Sequence, residues 1–228
     1  MTLSIVSGVL VFARCSSQRL PNKVLLEFSG MPLILWVIRR AQSSGLPVVL
    51  ATSINGSDDL LARLTEAAGI TVIRGELNDV LGRALAAAAH LGWHSFARLC
   101  ADRPFFDVTQ MRDALALVNG TEQFDLVTNN LNGEAAPGLT IEAIRIEALQ
   151  RAGAASAMPR HREHLSSYIY EHKDCFKVRQ LAVCPIPGEL KSKRFAVDTP
   201  DDYRLLHAMA DGCSPAVSLQ ELARKVQT

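Results

Sequence analysis

The sequence lacks the signatures of several common enzyme classes. It contains no G-x-x-x-x-G-K-[ST] phosphate loop, no G-x-G-x-x-G dinucleotide fingerprint, no G-x-S-x-G nucleophile elbow and no H-E-x-x-H zinc motif. The D-x-D triplet found in many metal-dependent glycosyltransferases is also absent. These absences argue against P-loop, dinucleotide-dependent and serine-hydrolase functions.

The chain has only five cysteines and no excess of positive or negative charge. The five cysteines form no C-x-x-C pair, and their odd number argues against a disulfide framework. The net charge of +1 favours neither a nucleic acid nor a membrane surface as partner, so any anion site must be local. The first residues lack the basic region and cleavage site of a signal peptide, and their apolar run is too short to span a bilayer. We therefore expect a cytoplasmic protein with reduced thiols.

The length of 228 residues, of which 48% are apolar, fits a single large domain with a substantial core. Strand and helix patterns alternate through the first 130 residues, which predicts βαβ units and an α/β fold with a mainly parallel, Rossmann-like sheet. Strands are predicted over 5–12, 47–52, 70–74, 96–100 and 125–128, and helices over 32–43, 58–68, 79–91 and 108–118. Later strands are predicted over 139–145 and 176–183, and helices over 146–152, 162–171 and 199–210, the last preceded by a strand at 195–197. We interpret 139–190 as a small α+β insertion within one domain that spans 1–228.

A cationic loop follows the first predicted strand. Within ten residues it carries Arg14, Ser16, Ser17, Arg19 and Lys23. Ligands of open α/β sheets bind beyond the carboxyl ends of the strands, so these side chains are suited to a polyanion such as a triphosphate. The alternative interpretation is a solvated basic loop without a ligand.

Two aspartates follow strand-like runs and are candidate metal ligands. Asp102 comes directly after the strand at 96–100, and Asp198 stands between an apolar run and a Thr-Pro helix start. Carboxylates beside a phosphate-binding loop suit Mg²⁺, which supports metal-assisted nucleotidyl transfer. The alternative is structural: a turn or cap residue before Pro104, and a helix start that Thr199 provides without Asp198.

Two further segments carry polar side chains. Arg74 leaves a predicted strand and is a candidate nucleotide contact, whereas Asp79 is interpreted as the N-cap of the next helix. His161 and His164 are predicted to share one helical face, flanked by arginines. They lack a third ligand for zinc, so a basic patch that receives an acidic substrate is the preferred interpretation.

Six segments of the chain, in order, resemble one family. ARCSSQRLPNKVL resembles the opening A-R-x-x-S-x-R-L-P-x-K-x-L of the cytidylyltransferases that activate acidic sugars. RGELNDVLGR and FARLCADRPFFD resemble the R-G-x-x-x-D-V-L-x-R and V-R-x-x-G-D-x-P-L-I-D of the branch named after spore coat polysaccharide biosynthesis protein F. PGLTIEAIRIEALQRA, REHLSSYIY and VDTPDDYRLL are similar to three later motifs of that branch. The chain departs from the pattern at Asn22, Ala101, Thr140 and Ser166, which affects the acceptor side more than the nucleotide side.

The resemblance implies a nucleotide-diphospho-sugar transferase fold that binds CTP, Mg²⁺ and an acidic sugar. It assigns CTP to Arg14, Ser16, Ser17, Arg19, Lys23, Arg74 and Arg98. It assigns Mg²⁺ to Asp102 and Asp198, catalysis to these aspartates with Arg19 and Lys23, and the acceptor to Glu142, Arg162 and His164. It also implies a homodimer built through 139–190.

The expected reaction joins CMP from CTP to a 3-deoxy-ulosonic or nonulosonic acid and releases pyrophosphate, for surface polysaccharide biosynthesis. The general base stays open among Asp102, Asp198 and a metal-bound hydroxide. Two alternatives are a glycosyltransferase of the same fold and a nucleotide-binding relative that has lost catalysis.

Overall fold

The computed structural model describes residues 7–226. The strands, in chain order, are β1 (Ser7–Phe12), β2 (Glu27–Phe28), β3 (Met31–Pro32), β4 (Val48–Ser53), β5 (Thr71–Gly75), β6 (Ser95–Cys100), β7 (Leu126–Thr128), β8 (Glu142–Arg145) and β9 (Val178–Gln180). The helices are α1 (Leu33–Gln42), α2 (Asp59–Ala67), α3 (Val80–Leu91), α4 (Val108–Asn119), α5 (Ile146–Ala155), α6 (Pro159–Glu163), α7 (Ser167–Glu171), α8 (Pro200–Ala210) and α9 (Leu219–Val226). The alternation predicted up to β7 is confirmed, although residues 5 and 6 of the first predicted strand lie outside the described part.

A seven-stranded sheet in the order β5-β4-β1-β6-β8-β7-β9 forms the centre of the protein. Neighbours from β5 to β6 are parallel, β8 is antiparallel to both β6 and β7, and β9 is parallel to β7. The sheet is therefore mainly parallel, as the sequence predicts. Strands β8 and β9 show that the segment 139–190 contributes directly to this sheet.

Helices cover both faces of the sheet. On one face, apolar side chains of α1, α2, α4, α8 and α9 pack against Val9 and Val11 of β1. On the other face, α3, α5 and α7 pack against Leu10, Phe12 and Phe96. Since both faces are buried, the central strands are continuous apolar runs rather than alternating ones. Because β1 and β6 are parallel neighbours, their carboxyl ends lie side by side at one edge of the sheet.

Side chains at the helix starts make the caps that the sequence predicts. Asp79 accepts a hydrogen bond from the Gly82 amide at 2.9 Å, which confirms its N-cap role. Thr199 and Asp202 form a reciprocal capping box at α8, with Pro200 as the first helical residue. Asp198 takes no part in that box through its carboxylate, so its side chain is left for another function.

The prediction of one continuous helix over 162–171 is wrong. The segment consists of two short helices, α6 and α7, because His164 leaves helical dihedrals at φ −108° and ψ 80°. The Ser167 amide then bonds to the His164 carbonyl at 2.8 Å and starts the second helix. His161 and His164 therefore do not share a helical face.

Three other predicted boundaries differ from the structure. The strand predicted over 139–145 begins only at β8, because the amide of Ile141 is held by the Asn129 side chain. The strand predicted over 176–183 is limited to β9, and residues 195–197 form no strand. Instead, the Val197 amide donates to the Asp102 carbonyl at 2.8 Å. The β2–β3 hairpin and α9 were not predicted.

In the range 7–226, no helix has the length and apolar character needed to cross a membrane.

Candidate active site

A cleft of about 680 Å³ opens at the carboxyl ends of β1 and β6. Its walls come from the cationic loop after β1, the end of β6 with the turn that follows, the approach to α3, and the end of α6. Ligands of open parallel sheets bind at this edge. The cleft is therefore the candidate active site.

Lys23 lies at the centre of the charged end of the cleft. Its ammonium is 2.6 Å from Asp102 Oδ2 and 3.7 Å from Asp198 Oδ1, and it donates to the Val197 carbonyl at 2.8 Å. The Lys23 residue is only 9% exposed. Asn22 makes this position possible, because its left-handed backbone (φ 58°) turns the chain into the short helix Lys23–Leu25. Asparagine tolerates that conformation better than most residues, which agrees with the sequence analysis.

The start of the cationic loop is anchored by Asp58, a fully buried carboxylate. Its Oδ1 accepts from the Cys15 amide at 2.7 Å, and its Oδ2 accepts from the hydroxyl of Ser53 at the end of β4. Burial, followed by the charge of Asp58, raises the pKa of the Cys15 thiol to about 11. The sequence pattern predicts Asp58 only as a helix start. Its link to the loop spans 43 positions along the chain and had no local signal.

The two candidate metal ligands converge as predicted. The Asp102 and Asp198 side chains are 25% and 17% exposed, and both line the cleft. Arg19 approaches Asp198 Oδ2 at 2.5 Å, so both carboxylates already attract cations. Among residues 7–226, no group of three or more His, Cys, Asp and Glu side chains is arranged to hold a metal. Two carboxylates that leave other positions to phosphate oxygens and water fit Mg²⁺, and they do not fit a structural zinc site.

A buried ion pair supports the other side of the cleft. Arg98, which lines the cleft, donates to Glu142 Oε2 at 2.5 Å, and the Ser166 hydroxyl donates to Oε1 at 2.9 Å. Burial by itself would raise the pKa of Glu142, but Arg98 and Ser166 stabilise the charged form and the pKa is lowered. Glu142 therefore stays ionised and holds Arg98 at the cleft wall.

Most of the predicted site residues lie together in this cleft. Those that line it are Arg14, Ser16, Ser17, Arg19, Lys23, Arg98, Asp102, His164 and Asp198. Arg14 also spans to Glu163 at 3.2 Å. Three predicted residues are not among the lining residues: Glu142 lies behind Arg98, Arg162 is 3.6 Å from Asp79, and Arg74 pairs with Asp59 at 2.6 Å. The functional roles of all these residues remain predictions.

His161 is a structural side chain. It is buried, and its ring nitrogens lie 2.6 Å from Ser156 Oγ and 3.0 Å from Glu171 Oε2. Both nitrogens thus have partners, whereas His164 faces the cleft. The two histidines belong to different environments, which argues further against a zinc site. Arg83, a lining residue near the start of α3, is the last residue of the RGELNDVLGR motif, but no role was predicted for it.

Comparison with known proteins agrees with this geometry. A family model described as cytidylyltransferase matches residues 8–208. The chain is 28% identical to spore coat polysaccharide biosynthesis protein SpsF of Bacillus subtilis over 228 residues, which cover 93% of this chain and 90% of that protein. It is 31% identical to the 3-deoxy-manno-octulosonate cytidylyltransferase of Acidovorax sp. over 118 residues, 47% of this chain and 42% of that one.

Among solved structures, the chain is similar to a cytidylyltransferase from Leptospira borgpetersenii. The TM-score is 0.88 at 26% sequence identity, and the match covers 98% of this chain and 94% of that one. The family resemblance and the α/β nucleotidyltransferase fold inferred from the sequence are confirmed.

Proposed function

The chain belongs to the cytidylyltransferase family and is a nucleotidyltransferase, and we propose that it joins CMP from CTP to an acidic sugar. The reaction releases pyrophosphate, depends on Mg²⁺ and serves surface polysaccharide biosynthesis. The observation that carries the proposal is the convergence of Asp102 and Asp198 on Lys23 at the end of a cationic loop. This arrangement joins a metal-binding carboxylate pair to a phosphate-binding surface.

The basic side chains would bind the triphosphate. Ser16 and Ser17 offer hydroxyl donors, and Arg14, Arg19 and Lys23 offer cations in the same wall of the cleft. Pyrophosphate gains negative charge as it leaves, and fixed cations stabilise that charge without reorganisation. Lys23 is suited to this role because its ammonium is held by a buried carbonyl contact as well as by the aspartates.

Asp102 and Asp198 would hold Mg²⁺, which when bound neutralises phosphate charge and orients the α-phosphate. The acceptor hydroxyl attacks the α-phosphorus, and the bond from that phosphorus to the bridging oxygen breaks. CMP is thereby joined to the acceptor and pyrophosphate leaves. The proton of the hydroxyl passes to a base, and the candidates that this chain supplies are Asp102 and Asp198.

The predicted acceptor residues are Glu142, Arg162 and His164, and Arg98, which the resemblance assigns to CTP, contacts Glu142. Glu142 acts through Arg98, whose guanidinium is presented to the cleft. A cation there suits the carboxylate of an acidic sugar. The similarity to 3-deoxy-manno-octulosonate cytidylyltransferase supports this acceptor class, and similarity to SpsF supports a role in polysaccharide biosynthesis.

We also propose that the protein is a cytoplasmic homodimer in which 139–190 provides both the acceptor side and the dimer contact. The segment contains β8, Glu142 and the end of α6, so it borders the cleft. An interface there would place the acceptor wall against a second copy.

Pyrophosphate release from each of the four nucleoside triphosphates tests the proposal. The assay contains Mg²⁺ and a panel of acceptors: 3-deoxy-octulosonate, several nonulosonates and simple sugar phosphates. We expect release only from CTP and only with a sugar acid. CTP binding without release under every acceptor would favour the inactive relative, and transfer from a sugar nucleotide with CTP inert would favour a glycosyltransferase.

A further inference from the structure

The segment before Asp198 is held in place without the hydrogen bonds of a sheet, because residues 195–197 form no strand. One of its anchors is a backbone hydrogen bond, in which the Phe195 amide donates to the Pro137 carbonyl at 2.7 Å. Pro137 begins a stretch of irregular backbone, residues 137–141, that we call the brace. The brace is not part of the cleft lining, and the proposed reaction leaves it without a role.

Gly138 brings the brace into direct contact with the backbone before Asp198. Its φ of 96° lies in the left-handed region that favours glycine. A Cβ added there would collide with the carbonyl group of Phe195 and lie 2.5 Å from the Ala196 nitrogen. Any larger residue would therefore push the two backbones apart and displace Asp198.

The brace is fixed from inside the protein by Asn129, a fully buried side chain. Asn129 Oδ1 accepts from the Ile141 amide at 2.9 Å, and Nδ2 donates to the Leu139 carbonyl at 2.9 Å. The side chains of Leu139 and Ile141 are buried in the core as well. Because the brace is held on this side, a clash at Gly138 would move the segment of Asp198 rather than the brace.

The brace also contacts the segment of the other aspartate. Arg103 directly follows Asp102, and its Nη1 donates to the Thr140 carbonyl at 3.3 Å. The Val197 amide donates to the Asp102 carbonyl at 2.8 Å, which joins the two aspartate segments to each other. Both carboxylates thus depend on one support. Mg²⁺ demands near-ideal ligand geometry, so a shift between its carboxylates weakens binding.

We propose that Gly138 is a positioning residue for the two carboxylates, an inference that rests on the proposed Mg²⁺ site. The close contact at Gly138 sets the position of Asp198 relative to Asp102 and leaves both side chains unaltered. Gly138 is not among the residues that line the cleft, so it acts through the backbone at 195–198. Altering the support of a metal site typically costs ~10- to 100-fold in metal affinity.

The affinity of Gly138→Ala for Mn²⁺, measured by electron paramagnetic resonance, tests this role. We expect Mn²⁺ binding to weaken by at least ~10-fold, and the Mg²⁺ concentration for half-maximal pyrophosphate release to rise to a similar extent. Circular dichroism establishes that the variant is folded at the temperature of the measurement. A loss of stability by itself would reduce the folded fraction but leave the metal affinity of the folded molecules unchanged.

Gly133→Ala is the matched control. Gly133 also has a left-handed backbone (φ 75°), but a Cβ added there would meet no atom of the described residues within 4 Å. The control therefore carries a similar conformational cost without the contact. We expect it to lose thermal stability and to keep the wild-type affinity for Mn²⁺.

Arg103→Met provides a second test that decides the matter if Gly138→Ala does not fold. It removes the hydrogen bond to the Thr140 carbonyl together with the positive charge next to Asp102. Loss of that charge would by itself strengthen the binding of a cation. We expect weaker Mn²⁺ binding, by about 3-fold or more, because the support of the Asp102 segment is lost.

Two results would overturn the role of Gly138. One is a folded Gly138→Ala variant that binds Mn²⁺ as tightly as the wild type or as Gly133→Ala. The other is unchanged or tighter Mn²⁺ binding by Arg103→Met when Gly138→Ala does not fold. A wild type that binds no Mn²⁺ would instead contradict the proposed metal site, and the inference would fall with it.

Discussion

At the scale of single residues, the central feature of the cleft is the cluster of Lys23, Asp102 and Asp198. The ammonium satisfies both carboxylates while its stem is packed into the loop. Each partner depends on the others, because a buried charge that loses its counter-charge is destabilised. Substitutions at this cluster should therefore affect metal binding, nucleotide binding and stability to different extents. Measuring all three for each variant identifies the role of the side chain that was changed.

Asp102→Asn is expected to reduce Mg²⁺-dependent pyrophosphate release by at least ~100-fold, because it removes half of the carboxylate pair. The same variant should bind Mn²⁺ more weakly, which electron paramagnetic resonance measures without turnover. Asp59→Asn is the control, since Asp59 pairs with Arg74 outside the cleft lining. Full activity of Asp102→Asn at saturating Mg²⁺ would contradict the metal role.

The cysteines are expected to differ sharply in reactivity. Burial, followed by a neighbouring carboxylate, raises the pKa of Cys15 and of Cys184 to about 11, so at pH 8 roughly one thiol in a thousand is ionised. Cys175 is exposed and should react first with a thiol reagent. Cys100 lines the cleft, and CTP should slow its modification.

Stopped reactions with Ellman's reagent followed by peptide mass spectrometry measure these rates. Cys175→Ser should remove the fastest phase, and Cys100→Ser should remove the phase that CTP protects. Rapid modification of Cys15 in the folded protein would contradict the packing of the loop.

At the scale of elements, the turn at Asn22 couples the loop after β1 to the short helix that contains Lys23. A left-handed residue other than glycine costs about 1–2 kcal/mol, and a β-branched side chain costs more than asparagine. Asn22→Val should therefore lower the free energy of unfolding in urea by about 2 kcal/mol and weaken CTP binding, whereas Asn22→Gly should do neither.

Gln123→Val provides the matched comparison for Asn22→Val. Gln123 has a similar left-handed backbone (φ 52°) but lies in an exposed turn away from the cleft. It should lose comparable stability and bind CTP as the wild type does. If Asn22→Val also kept normal CTP affinity, Lys23 would not depend on this turn.

The helices and strands could be predicted from the sequence where the residues that cause them lie within the element or directly beside it. The strands up to β7 are apolar runs bounded by turn residues, and helices such as α3 and α8 carry their own caps. Prediction failed at 162–171, because the break at His164 places that residue over the cleft and no local residue marks it. It also failed at the β2–β3 hairpin, whose strands are only two residues each.

At the scale of the whole molecule, the proposed dimer can be tested by the mass in solution and by a substitution of Met158. Sedimentation should give about twice the 24.8 kDa of the chain. Met158 is 54% exposed within the segment 139–190, and Met158→Asp should shift the protein toward monomer, because a charge is costly in an interface core. Ile54→Asp is the control, since Ile54 is 58% exposed outside that segment.

A monomeric wild type at micromolar concentration would contradict the dimer. If Ile54→Asp dissociated the protein and Met158→Asp did not, the interface would lie elsewhere than in 139–190.

The sequence by itself determined the parts of this protein whose physical cause is local. Apolar runs with turn residues specified the parallel strands, and the cationic loop with its neighbouring motifs specified the family and the position of the site. Only the tertiary structure decided which charges meet. Lys23, Asp102 and Asp198 converge because the ends of β1 and β6 and the turn before α8 lie at one sheet edge, although they are far apart in the chain. The same holds for the anchor at Asp58, which depends on packing between residues distant in sequence.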